Sequence, residues 1–298
     1  MSAPAEIRNR PRVLAFIALM KLRIIELLLV TTVPTMIVAD NGIPSLWLIA
    51  ATVLGGTLAA GGAHAFNMYI DRDIDKLMER TKGRPLVTGE ISPREALVFA
   101  FVIEIAAFVW LWLTVNLLSA CLAVSATLFY VFVYSLWLKR SSTSNIVIGG
   151  AAGAVPVLVG WSAVTNDLAW PPVVLFAIIF YWTPPHFWAL AIRYRDDYQA
   201  AEIPMLPAVA SLQTTATRIV IYTVLLWGLT LLFAPVADMG PIYVVSAVVL
   251  GAVFLGLAER VRRNPDPKRA MTLFGWSITY VTLLFGSMAV DEVVRHGI

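Results

Sequence analysis

The chain has 298 residues, 59% of them hydrophobic, with a mean hydropathy of +0.79 and a formal net charge of +3. That composition excludes a water-soluble globular domain and describes a polytopic membrane protein. The lone Cys121 excludes an internal disulfide or a cysteine-based metal site, no C-x-x-C-H haem attachment motif occurs, and so small a net charge gives no footing for a nucleic-acid partner.

The first twenty-odd residues are polar and basic without an apolar core and cleavage site, so no secretory signal is read there. From Pro11 to Arg23 basic and apolar residues alternate, the pattern of a short interfacial helix. Nine apolar stretches follow, near 24–40, 47–66, 95–115, 117–138, 146–163, 172–192, 217–236, 241–258 and 271–290. Each is about long enough to cross a bilayer as a helix, which predicts an all-α fold of nine transmembrane helices in a single domain, 1–298. Gly55-Gly56, Gly61-Gly62 and Gly149-Gly150 with Gly153 suit close approach of such helices.

Charge sets the orientation. Basic residues occupy the N-terminal arm (Arg8, Arg10, Arg12, Lys21, Arg23), 66–94, Lys139–Arg140, 193–218 and 259–269, with Arg295 the exception. The opposite connections, 40–45, 114–117, 162–170 and 237–241, contain no Lys or Arg. The positive-inside rule then puts the N-terminus and long loops in the cytoplasm and the C-terminus outside. The two acidic loops, near 67–94 and 193–216, follow the second and sixth stretches and divide the chain into two four-helix halves plus a ninth helix.

The stretch Asn67–Pro85, NMYIDRDIDKLMERTKGRP, sets four carboxylates beside five basic residues. Asn67, Asp71 and Asp75 recur every fourth residue and would form one polar ridge on a helix. Carboxylates held so close resist ionising together unless a cation lies between them. Mg²⁺ meets that need with one or two carboxylates and takes further oxygens from a substrate phosphate. Asp73 lies off the ridge. Gly83 and Pro85 should break the helix and fold the chain back, letting Arg80, Lys82 and Arg84 converge on a diphosphate. The alternatives are a solvated helix end with i,i+4 ion pairs and a basic loop serving topology alone.

Further on, Glu104 lies well inside the third stretch, where a carboxylate is costly; catalysis and a buried hydrogen bond both account for it. Phe129, Tyr130, Tyr134 and Trp137 could line a pocket for an isoprenoid or cation, or simply pack. In WTPPHFWAL, Pro184 and Pro185 should kink or break the sixth helix beside His186. His186 and His64 (one turn before Asn67) are each read as a proton-transfer group, a haem contact or a structural residue. The second ridge, IRYRDDYQAAEIPMLP, offers Asp196 and Asp197 for a second Mg²⁺, or an Arg193–Asp197 pair, with Tyr194 and Tyr198 on one face as an aromatic wall or interfacial anchors.

N-x-x-x-D-x-x-x-D ending the second stretch, with an acidic segment after the sixth, resembles the UbiA superfamily of intramembrane prenyltransferases. MERTKGRPLVTGE and PPHFWALAI with DYQAAEIPMLP resemble its haem-farnesylating branch, and the likeness covers nearly the whole chain. The resemblance implies a helical bundle around a central cavity opening to lipid, in the plasma (inner) membrane, with the active site toward the cytoplasm. It implies farnesyl diphosphate and haem B as substrates, joined at a haem vinyl group with addition of water. It also implies Mg²⁺ as cofactor, membrane lipids as surroundings, and a downstream haem A synthase or terminal oxidase as recipient. Asn67, Asp71 and Asp75 would hold metal, Arg80, Lys82 and Arg84 the diphosphate, and Asp197 the second motif, while Arg193 and Arg195 would pair with haem propionates. His186 and Glu104 are then the candidates to activate the water. One departure stands out: Tyr194 and Tyr198 fall where many members carry two aspartates. Rival readings are a superfamily member acting on a quinone precursor or aromatic acid, a transporter with a midplane site, and a haem-carrying assembly factor.

Overall fold

The computed structural model describes the backbone of residues 11–297 and the side chains of 11–22 and 30–297. Arg8, Arg10 and the side chain of Arg23 lie outside these described residues. Regular structure within them is helical. In chain order it comprises α1 (Arg12–Met20), α2 (Leu22–Asp40), α3 (Leu46–Ile70), α4 (Pro85–Thr88), α5 (Pro93–Thr114), α6 (Leu117–Leu128), a π-helix (Phe129–Leu138), α7 (Lys139–Ser141) and α8 (Asn145–Thr165). There follow α9 (Trp170–Arg193), α10 (Arg195–Ala200), α11 (Leu206–Val209), α12 (Leu212–Val236), α13 (Pro241–Arg263) and α14 (Pro267–His296).

Among the described residues eight helices are long and apolar enough to cross a membrane: α3, α5, α6 through α7 as one run, α8, α9, α12, α13 and α14. The expected first stretch coincides with α2, of which 30–40 is the part whose side chains are described. Local chemistry sets the starts. Ser45, Asn116 and Ser211 cap α3, α6 and α12, Ser92 and Glu95 form a capping box with Pro93 at the head of α5, and Asp266 caps α14.

The helices pack in sequence, α3 on α5, α5 on α6 and α6 on α8. α8 then joins α2 and α9, while α9 packs on α12 and α14. α14 returns to α2 and closes the bundle. Outward faces are apolar, as on α5, where Val98, Val102, Ile105 and Val109 are exposed, because lipid and not water surrounds them. Inward contacts use small residues: a Cβ on Gly160 would come within 2.8 Å of the Thr32 carbonyl oxygen, so α2 and α8 touch at the backbone only because none is there.

The α1 segment forms the expected short helix, with Ala15 and Leu19 buried against residues of α3, α4 and α5. A left-handed Lys21 (φ 51°) separates it from α2. At Pro184–Pro185 the expected break does not occur, and α9 runs unbroken from Trp170 to Arg193. It is enclosed by α8, α12 and α14, and Trp182 Nε1 donates to the Ser277 carbonyl of α14 (2.8 Å), so surrounding packing holds a backbone that loses two donors.

Candidate functional site

The polar ridge is real in space but is not one helix. α3 ends at Ile70, Asp71 is its C-cap (φ −85°, ψ 2°), and a 3₁₀ turn follows at Ile74–Lys76. Two backbone bonds keep the fourfold spacing, Asp71 N–H to Asn67 O (2.9 Å) and Asp75 N–H to Asp71 O (2.8 Å). Asn67, Asp71 and Asp75 therefore still stack, and all three are buried. The foldback follows, with Thr81 Oγ1 donating to the Asp75 carbonyl (3.0 Å) and Pro85 opening α4.

Buried carboxylates persist only when paired. Asn67 Nδ2 donates to Asp71 Oδ2 (2.6 Å) and to Ser135 Oγ (3.2 Å), and Lys21 Nζ donates to Asn67 Oδ1 (3.2 Å). The Lys139 ammonium pairs with Asp71 Oδ2, and Arg84 with Asp75 Oδ2. Burial, with Arg84 and Lys139 nearby, pushes the Lys21 ammonium well below its ordinary pKa. Asp73 turns outward and accepts two bonds of 2.7 Å from Arg140, which hold its carboxyl below the usual carboxylate range. One oxygen is left over: Asp71 Oδ1 is buried with no hydrogen-bond partner.

Lys139 reaches Asp71 because of the π-helix before it. Tyr130 and Lys139 are nine residues apart, which at about 100° per residue would put them on opposite faces of an α-helix. With i→i+5 winding, at about 80° per residue, they return to the same face. Tyr130 stacks on Tyr134 (centroids 5.3 Å apart), Ser135 meets Asn67, and Lys139 meets Asp71. Gly149 of α8 lets this strip sit close, since a Cβ there would lie 2.3 Å from the Tyr134 ring.

Beside this cluster a cavity lies between α2, α3, α6, α8 and α9, about 190 Å³ in volume. Its walls are small and apolar residues with threonines, including Gly56, Ala59, Ala63, Ala123 and Thr127. His64 and Tyr130 line it also, edge to face at 5.9 Å. His64 lies one helical turn before Asn67, so the slot and the acidic ridge adjoin along α3, a pairing that suits a molecule with a hydrocarbon tail and a polyanionic head.

Other expected residues fall in three places. Arg80 lies near the buried Tyr198 phenol of the second loop; burial raises the phenol pKa, and Arg80 and Arg84 partly oppose that. Near it, Asp197 Oδ2 and Arg195 Nε are buried without hydrogen-bond partners, Tyr194 is partly buried, and Arg193 and Asp196 are exposed. Lys82 pairs with Glu79 at the surface, away from the ridge. The two catalytic candidates sit apart from the acids. His186 is stacked between Trp182 and Phe274 (centroids 4.3 and 4.6 Å), its Nδ1 2.7 Å from Ser277 Oγ at the α9–α14 contact. Glu104 sits behind α3, where a Cβ on Gly62 would meet its Oε2 at 2.4 Å, and does not line the cavity. Sequence reasoning missed Lys21 and Lys139, counting them only as inside-positive charge; their place at the ends of apolar segments was the available signal.

The donor set bears on Mg²⁺. Among the described residues no three His, Cys, Asp or Glu side chains group into a metal cage. Two buried carboxylates, one with an unsatisfied oxygen, fit the lesser demand of a Mg²⁺ ion that brings phosphate oxygens and water with it.

The profile of the UbiA prenyltransferase family matches residues 28–283. The chain is 58% identical over 287 residues to a protoheme IX farnesyltransferase of Frankia alni, covering 95% of this chain and 99% of that protein. In fold it is similar to a digeranylgeranylglyceryl phosphate synthase structure, with a TM-score of 0.79 at 16% identity over 95% of this chain and 99% of that one. It is also similar to a UbiA homologue of Archaeoglobus fulgidus bound to GPP and Mg²⁺, with a TM-score of 0.61 at 15% identity over 92% of this chain and 99% of that one.

Proposed function

The chain belongs to the UbiA prenyltransferase family, and from that premise we propose that it is a protohaem IX farnesyltransferase. It would move the farnesyl group of farnesyl diphosphate to a vinyl group of haem B, with addition of water, giving haem O and diphosphate. The observation that carries the reading is the buried Asn67–Asp71–Asp75 ridge, ringed by Lys21, Lys139 and Arg84, on the same helix as the His64 wall of an apolar slot. The relatives' haem-directed activity narrows the acceptor.

In this reading Asn67, Asp71 and Asp75 hold Mg²⁺, and Asp197 adds an oxygen from the second loop. Bound there, the ion would offset charge developing on the diphosphate as its bond to the farnesyl carbon breaks. Lys139 and Arg84, which pair with the two carboxylates, are the cations best sited to receive the diphosphate, with Arg80 beside them. Their preset positions stabilise the departing anion without reorganisation. The alanine- and glycine-walled slot takes the farnesyl chain and keeps water from its cation. Arg195, with a buried unpaired nitrogen, and the exposed Arg193 are the haem-propionate candidates. The basic loops support a site facing the cytoplasm, with the plasma membrane as the membrane of this reading.

Purified protein given haem B, farnesyl diphosphate and Mg²⁺ should form a haem with the mass of the hydroxyethylfarnesyl product. Unchanged haem beside an active control would overturn the reading, and transfer to an aromatic acid in place of haem would reassign the acceptor.

A further inference from the structure

Addition of water leaves a proton to be removed, and neither residue first considered for that step lines the slot. His186 is stacked and hydrogen-bonded at the α9–α14 contact, and Glu104 lies behind α3. His64 does line it, one helical turn before Asn67 and so next to the diphosphate end. Its Nδ1 is buried without a hydrogen-bond partner, although a polar atom in that position ordinarily has one. The ring stands at right angles to that of Tyr130, with centroids 5.9 Å apart.

The rest of the described wall offers little competition. Beyond alanine, glycine and other apolar residues it presents threonine hydroxyls and the Tyr130 phenol, which do not accept a proton near neutral pH. A neutral imidazole has one N–H and one bare nitrogen, so it both orients a water and takes its proton. A water in an apolar slot also needs two or more polar partners, and besides His64 the lining holds threonine hydroxyls.

We infer that His64 holds the quenching water and is the base that accepts its proton, an inference that rests on the farnesyl transfer proposed above. The balance is as follows. The bond from farnesyl C1 to the diphosphate oxygen breaks and its electrons leave with diphosphate. The vinyl π pair forms the new bond to C1, leaving a cation on the vinyl carbon next to the porphyrin. Water oxygen bonds to that carbon, one of its O–H bonds breaks, and the proton goes to the bare nitrogen of His64. No oxidant or reductant is needed. Without the base, the same cation loses a proton from carbon and gives an alkene product lighter by one water.

The test uses full-length wild type, His64→Gln and His64→Glu in detergent with haem B, farnesyl diphosphate and Mg²⁺, with products resolved by mass. Glutamine keeps a hydrogen bond to water but accepts no proton. His64→Gln should raise the ratio of alkene to hydroxylated product at least tenfold, with KM for farnesyl diphosphate changed less than threefold, and His64→Glu should return the ratio toward wild type. The ratio is read only from molecules that turn over, so a lower folded yield does not blur it. If His64→Gln yields no turnover, His64→Glu decides: hydroxylated product supports the assignment, and none overturns it. A wild-type ratio and rate in His64→Gln overturns it too, as does an unchanged ratio with a shifted Soret band of bound haem, which would make His64 an iron ligand instead. Absence of any farnesylated haem from wild type would instead defeat the proposed function itself, and this inference with it.

Discussion

The two acidic loops are built on opposite principles. In the first, Asp71 and Asp75 are buried and each already has a cation, supplied by Lys139 and Arg84. In the second, Asp197 and Arg195 each bury a polar atom with no partner, and Asp196 is exposed. The first loop thus pairs both carboxylates with cations of the chain and leaves only Asp71 Oδ1 without a hydrogen bond, whereas the second leaves a carboxylate oxygen and a guanidinium nitrogen so, with no ion pair among the described residues. Arg80 of the first loop and the Tyr198 phenol of the second are close enough for the Arg80 charge to act on the phenol. A buried pair is costly to break and an unsatisfied group is cheap to change, so substitutions in the two loops should separate stability from binding.

The largest effect should come from the first loop. Asp71→Asn is expected to lower haem farnesylation by about 10³-fold, measured as product formation across a Mg²⁺ titration. Full turnover at limiting Mg²⁺ would erase the distinction between the loops. Next, Lys139→Ala strands a buried carboxylate and should cost about 3–5 kcal/mol of stability, read as a lowered thermal midpoint in detergent. A midpoint at the wild-type value would mean that the pair does not organise the site. In the second loop, Asp197→Asn should leave that midpoint in place while raising KM for farnesyl diphosphate about tenfold, or about 1.4 kcal/mol. Were stability to fall instead, the second loop would be as preorganised as the first. The smallest change is expected of Lys82→Ala, whose partner Glu79 is at the surface: within about 0.5 kcal/mol in stability and within twofold in turnover.

Much of this was legible in the chain. The apolar stretches mark the helices because a bilayer imposes length and composition directly. Asn67, Asp71 and Asp75 were recognisable as a set because their spacing matches a helical turn, and two backbone bonds preserve that spacing past the end of α3. What stayed hidden depends on distant partners. Lys139 lies 68 residues from Asp71 and Lys21 lies 46 from Asn67, and no local pattern pairs them. His186 drew attention through its adjacent prolines, yet its bond to Ser277 lies 91 residues away. The π-helix was hidden for another reason: FYVFVYSLWL carries no glycine or proline to announce a change in winding.

That winding acts as a gear setting for everything after it. Ten residues at i→i+5 fix the angular phase with which Lys139 and Arg140 leave the membrane, and those two side chains clasp Asp71 and Asp73. Deleting one apolar residue within Val131–Trp137 would let the segment relax to α winding without altering its hydrophobicity enough to stop insertion. Both cations would then swing by about 100°, and two acids, one buried and one exposed, would lose their partners at once. The acidic ridge can therefore be disconnected from its cations by a change of length alone, with every charged residue still present in the chain.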